Sequence, residues 1–180
     1  MTTATVENFN AMVVDDEVSV RKVVKKVFTS LGLDVDEAED GLGALGKLEG
    51  KTYDLVITDI KMPKMDGMKL LEKIIFDYPY TDVMIMTAYS TDYTYVDVVS
   101  GGAMDFIVKP FSTDELKAKI YRIARERRLI NELKESNRKL EATYKEILAL
   151  KDDEELRCRE INYEKELLLE ELEKLRSSKK

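Results

Sequence analysis

The chain has 180 residues, a formal net charge of −7, one cysteine and no histidine, which allows one good core and an appendage rather than two full domains. The missing imidazoles exclude histidine-ligated metal sites, serine-histidine catalysis and a phosphohistidine intermediate, and the lone Cys158 excludes a disulfide framework and fits a reducing compartment. No apolar stretch is long enough to span a bilayer and residues 1–10 lack the pattern of a signal peptide, so a soluble, cytoplasmic protein without a membrane partner is expected.

Residues 10–111 alternate strand-like runs with helical patterns, the signature of five βαβ-type units in a doubly wound parallel sheet. After Met12-Val13-Val14, a helix is expected from Val18 to Leu31, with Val20, Val23, Val24, Val27, Phe28 and Leu31 inward and Gly32 as its stop. Val35 to Ala38 reads as a short second strand, followed by a short helix packed by Leu42, Leu45 and Leu48 and closed by Gly50. Tyr53 to Thr58 is strand three; Met65-Asp66-Gly67 then opens a helix through Leu70, Leu71, Ile74 and Ile75 that stops before Pro79. Val83 to Met86 is strand four. The expected fourth helix, Ser90 to Ser100, is rich in threonine and valine, which are weak helix formers. Phe106-Ile107-Val108 is strand five.

Polar residues stand at or just beyond the carboxyl ends of four of these runs: Asp15 and Asp16, Asp59, Thr87, and Lys109 before Pro110. In one open parallel sheet those ends line a common crevice, where ligands usually bind. Three carboxylates, a hydroxyl and an ammonium converge there.

Taken with Glu39-Asp40-Gly41, the run from Asp59 to Gly67, Met86-Thr87-Ala88, Gly102 to Phe106 and Val108-Lys109-Pro110-Phe111, residues 9–122 resemble the receiver domain of bacterial two-component response regulators. The resemblance implies a five-stranded parallel sheet with five surrounding helices. It also implies that Asp59 is the phosphoacceptor and that Mg2+ (or Mn2+) is held by Asp16, Asp59 and the backbone carbonyl of Lys61, with Asp15 acting through water. Thr87 and Lys109 would contact phosphoryl oxygens, and Thr87 with Phe106 would form the switch. The Lys109-Pro110 bond is expected to be cis. Such chemistry needs a carboxylate nucleophile and neutralisation of charge on the equatorial oxygens, and Mg2+ prefers oxygen ligands. A histidine kinase or phosphotransfer protein is the expected phosphate source. Lys61 and Tyr89 flank the site and are expected to slow self-dephosphorylation by crowding an approaching water.

Beyond residue 111 the sequence reads as one unbroken helix, with Ser112 as N-cap, Glu115 at capping-box spacing, and Leu116, Ile120, Ile123 and Ala124 packed on the sheet. A heptad follows in phase, placing Ile130, Asn137, Tyr144, Lys151, Cys158, Lys165 and Leu172 at a, and Leu133, Leu140, Ile147, Glu154, Ile161, Leu168 and Leu175 at d. From Thr113 to Arg176 it would measure roughly 95 Å. The expected division is a receiver over residues 1–122 and a dimerising or signalling coiled coil over residues 123–180, with Asn137 fixing register and the run from Lys151 to Glu155 as solvated helix rather than a hairpin corner.

Residues 1–119 carry 21 acidic and 13 basic side chains, against 15 and 16 in residues 120–180, so direct nucleic-acid binding is not expected. Arg122, Arg125, Arg127 and Arg128 read as a solvated helix face with Glu126 and Glu132. Two other classes fit the sequence less well. An aspartyl-nucleophile phosphatase would carry a second Asp where Lys61 stands, and a purely structural coiled-coil protein with a receiver cap would have no use for an intact acid cluster.

Overall fold

The computed structural model describes residues 9–88 and 95–177, with α-helix, strand and turn alternating as the periodicity requires. The elements are β1 (Ala11–Val14), α1 (Val18–Ser30), β2 (Val35–Ala38), α2 (Gly41–Leu48), β3 (Leu55–Asp59), α3 (Gly67–Asp77), β4 (Asp82–Ala88), α4 (Tyr95–Ser100), β5 (Asp105–Lys109) and α5 (Thr113–Ser177). Tyr89 and residues 90–94, the first part of the expected fourth helix, lie outside the described residues.

The five strands form one parallel sheet in the order β2-β1-β3-β4-β5. Successive side chains on a strand point to opposite faces, and both faces are apolar here. Val13, Ile57, Met84, Met86 and Ile107 pack with Val24, Val27 and Phe28 of α1 and with Leu116, Ile120 and Ile123 of α5. Met12, Val14, Val56, Val83 and Ile85 pack with Ala44 and Leu48 of α2, Leu70, Leu71 and Ile74 of α3, and Val98 of α4. Each such side chain fully withdrawn from water contributes about 1.5–3 kcal/mol before entropy is counted.

Three residues expected inward lie at the rim instead: Val23 is 41% exposed, Leu42 51% and Ile75 41%. The face a helix buries against a sheet is narrower than its apolar stripe, so residues at the stripe's edge stay wet. Strand three begins at Leu55; Tyr53, two residues earlier, is buried and its hydroxyl donates to Asp36 Oδ2 at 2.8 Å. That placement and burial raise the Tyr53 pKa to about 12.

Helix α5 starts as the capping pattern requires, with Glu115 N–H donating to Ser112 Oγ at 3.1 Å. Ion pairs then pin its early turns. Lys119 Nζ and Arg122 Nη2 reach the Asp105 carboxylate at 3.0 and 2.6 Å. The arginine cluster is not a uniform solvated face: Arg127 is largely buried and joins Asp54 Oδ1 at 3.2 Å and Asp82 Oδ2 at 2.7 Å, beside the amino ends of β3 and β4. The chain divides into two compact units, Met1–Arg128 and Leu129–Lys180.

In the second unit the helix is unbroken through Lys151-Asp152-Asp153-Glu154-Glu155, without a corner. Every described side chain from Leu129 onward is exposed, including Ile130, Leu133, Leu140, Tyr144, Ile147, Ile161, Leu168 and Leu172; that of Leu175 lies outside the described ones. No helix among the described residues is long and apolar enough to cross a membrane.

Candidate functional site

The site lies where the sheet order reverses, at the carboxyl ends of β1 and β3 with those of β4 and β5 alongside. Asp15 follows β1 directly and is fully buried. Its Oδ1 accepts from Glu17 N–H at 2.9 Å and its Oδ2 from Lys109 Nζ at 2.7 Å. The same ammonium stands 3.2 Å from Asp59 Oδ1, so Lys109 bridges two carboxylates. Asp16 is exposed, and one carboxylate oxygen from each of Asp15, Asp16 and Asp59 lies within 4.8 Å of the others.

Burial pushes the Asp59 carboxyl above the usual carboxylate range and the Asp15 charge adds to this, with the Lys109 ammonium acting the other way. Burial alone would lower Lys109; its hydrogen bond to Asp15 and the charges of Asp59 and Asp15 override that and raise it. Three oxygen-bearing acids converging on one point suit a hard, oxygen-preferring divalent cation.

Strand register places the remaining predicted residues. Asp59 is opposite Met86, so Thr87 is one residue further along β4; Ala88 is opposite Lys109 on β5. The Thr87 hydroxyl donates to the Ala88 carbonyl at 2.9 Å. Phe106 is half-buried against the apolar cluster beneath α2, α3 and α4, with Lys119 Nζ 5.5 Å from its ring centroid. Lys61, two residues past β3, has an exposed side chain. The Lys109-Pro110 peptide is cis.

Four supporting residues complete the site: Arg21, which sequence reasoning missed, and Gly67, Lys64 and Asp40, which lie in the matched motifs without a role assigned to them there. Arg21 donates through Nη1 to the carbonyls of Asp15 at 2.6 Å and Asp16 at 3.3 Å, holding the acidic turn from below. Gly67 opens α3 so close to β3 that a Cβ would collide with the Asp59 carbonyl, and its N–H donates to Ile60 O at 2.8 Å. Only the absence of a side chain lets the loop after Asp59 close. Lys64 adopts φ of 60° in that loop and reaches Asp40 Oδ2 at 2.6 Å, while Asp40 Oδ1 caps α2 through Gly43 N–H at 2.8 Å. The positive φ at Lys64 has no sequence signature, but Asp66-Gly67 at a helix start is the pattern of an N-cap with close backbone approach.

Comparison with known proteins places this geometry. The family model described as the response regulator receiver domain matches residues 11–121. The chain is 39% identical over 111 residues to the transcriptional regulatory protein ZraR of Klebsiella oxytoca, and 40% over 112 residues to the DNA-binding transcriptional regulator NtrC of Klebsiella pneumoniae. Each alignment takes in 62% of this chain but 25% and 24% of the relative, so the chain spans about a quarter of the length of the relatives it matches. The chemotaxis response regulator CheY4 of Vibrio cholerae superposes with a TM-score of 0.59 at 27% identity, covering 64% of this chain and 98% of that one. The receiver domain of NtrX from Brucella abortus gives 0.60 at 32% identity, over 64% of this chain and 98% of that one. With the sheet order, the carboxylate cluster and the matched span in agreement, this chain belongs to the response regulator receiver domain family of two-component systems.

Proposed function

We propose that Asp59 accepts a phosphoryl group from a histidine kinase or phosphotransfer protein, and that the signal is passed through a homodimer formed by the Leu129–Lys180 helix. The observation that carries the first half is the bridge made by Lys109 between Asp15 and Asp59 beside Asp16, at 2.7 and 3.2 Å. An Asp59 carboxylate oxygen forms a bond to phosphorus as the donor's bond to phosphorus breaks, giving an acyl phosphate. Lys109, already positioned as a compact positive charge, then faces a phosphoryl oxygen instead of a bare carboxylate. Thr87 turns its hydroxyl from the Ala88 carbonyl to another of those oxygens. Asp16, Asp59 and the Lys61 carbonyl would hold Mg2+ or Mn2+, with Asp15 acting through water; when bound, the ion supplies charge neutralisation between carboxylates and phosphoryl oxygens. Arg21 fixes the backbone of both leading acids, and Gly67 closes the loop over Asp59.

Thr87 and Phe106 form the switch in this reading. As Thr87 moves toward the phosphoryl group, the half-buried Phe106 ring turns further into the apolar cluster and away from Lys119. The position two residues after Asp59, where an aspartyl-nucleophile phosphatase would carry its second Asp, holds Lys61. The self-catalysed gain and loss of phosphate at Asp59 is the only chemistry proposed.

The test is intact-protein mass after incubation with a small phosphodonor and Mg2+. One added phosphoryl group is expected, absent in Asp59→Asn and in the presence of a chelator, and formed about 100-fold more slowly in Lys109→Ala, the scale of losing one preorganised electrostatic contact. Phosphorylation that persists in Asp59→Asn would contradict the assignment.

A further inference from the structure

The helix beyond Arg128 carries its apolar residues on the outside: Leu133, Leu140 and Leu168 are 62%, 69% and 60% exposed. A stripe of this kind along a single helix is an unfinished core. We propose that its occupant is a second copy of the same helix running antiparallel, with the two-fold axis passing between Asp152 and Asp153. This rests on the dimer reading above and goes beyond it by fixing orientation and register.

The argument comes from the polar residues inside the stripe. Lys151 occupies an a position and Glu154 the next d position. In a parallel pair each core residue meets its own copy, so Lys151 faces Lys151, Glu154 faces Glu154 and Lys165 faces Lys165. That gives three desolvated layers of like charge, which disfavours the pairing. Asn137 meeting its copy is the one favourable polar layer of that arrangement.

Reversing one helix places every a opposite a d. In the register that sets Lys151 against Glu154 of the second copy, two-fold symmetry sets Glu154 against Lys151 of the second copy as well. The two central charges thus satisfy each other twice. Ile147 then meets Cys158, Tyr144 meets Ile161 and Leu133 meets Leu172. Lys165 falls opposite Leu140 and can lay its stem along it with the ammonium in water, and Asn137 falls opposite Leu168. Sliding the register by one heptad either way sets both Lys151 and Glu154 against residues other than each other. Among the described residues Lys151 has a loose partner to exchange, Glu155 Oε1 at 3.8 Å, with both side chains more than half exposed. The positions flanking the core do not choose between orientations, since few oppose two charges in either one.

Cysteine cross-linking of the full chain, with solution mass measured alongside, decides the matter, because Cys158 is the only thiol. Three proteins are oxidised: the unmodified chain, Ile147→Cys with Cys158→Ser, and Ile147→Cys alone. Light scattering is expected to show a dimer for all three, and a disulfide-linked dimer is expected only for Ile147→Cys retaining Cys158. Cross-linking in either single-thiol protein would establish a parallel pair and overturn the proposal. A dimer that cross-links in none of them would overturn the register, and a monomeric mass throughout would instead refute the underlying dimer reading. Charge reversal gives an independent check. Lys151→Glu is expected to weaken self-association by roughly tenfold or more, and adding Glu154→Lys to restore it. A parallel pair would be indifferent to both changes.

Discussion

The two units of this chain place their apolar residues in opposite ways. Up to Ala124 most strand side chains and the inner faces of the helices are folded inward on both faces of the sheet, and side chains such as Ile57, Leu70 and Phe28 are wholly withdrawn from water. From Leu129 onward the described side chains of the same types are exposed along a single helix. A domain that closes its own core has its structure set internally, whereas a lone helix gains most of its stability from packing. The receiver therefore closes its own core, whereas the tail presents a stripe that the proposed second copy would cover.

This contrast can be broken most forcefully inside the core. Leu70→Ala is expected to cost about 2–5 kcal/mol of receiver stability, read as a lowered denaturant midpoint. Leu140→Ala, a truncation of the same kind in the tail, is expected to leave that midpoint unchanged and to raise the dimer dissociation constant instead. Gly67→Ala ranks next. A methyl group there meets the Asp59 carbonyl, and relieving such crowding costs about 1–3 kcal/mol; phosphorylation at Asp59 is expected to slow along with the loss of stability, separating this position from ordinary loop glycines.

A smaller effect sharpens the boundary between the regions. Arg127 is the last ion-paired anchor of α5 on the sheet among the interactions described, and Arg127→Met is expected to cost about 1 kcal/mol, read by denaturation and as earlier amide exchange in the turn around Ala124. The smallest effect is pH-dependent. Burial acts to raise the Asp105 carboxyl, but its bonds from Lys119, Phe106 N–H and Arg122 outweigh this and hold it below the usual range. A carboxylate with a depressed folded pKa stabilises above its unfolded value, about 3.9, and that contribution disappears as pH falls through the folded value. Asp105→Asn is expected to flatten the acid limb of the stability profile below about pH 4 while leaving the tail's self-association unchanged.

Most of the acid site was legible in sequence because each member stands at or near the end of an apolar strand, and parallel topology brings those ends together. Asp15, Asp16, Asp59 and Lys109 meet as expected. Position along a strand is local information, so it survives in sequence. The Arg127 clamp does not, because its partners Asp54 and Asp82 are 73 and 45 residues away and nothing in the local pattern distinguishes it from Arg125 or Arg128. Arg21 escaped for a different reason: its partners are only six and five residues away, but they are backbone carbonyls rather than side chains with a recognisable pattern. Val23, Leu42 and Ile75 were misplaced because periodicity marks which side of a helix is apolar without marking how wide a strip the sheet covers. The tail shows the converse: the heptad is plain, and the proposed pairing rests on the few residues that violate it.

The most direct measurement is amide hydrogen exchange on the full chain across a wide range of protein concentration. The account predicts that protection in β1, β3 and β4 is high and independent of concentration, while protection from Leu129 to Ser177 rises with concentration and is lost on dilution. Tail protection that does not change with concentration, whether strong or absent throughout, would contradict the claim that this helix is completed by a second copy.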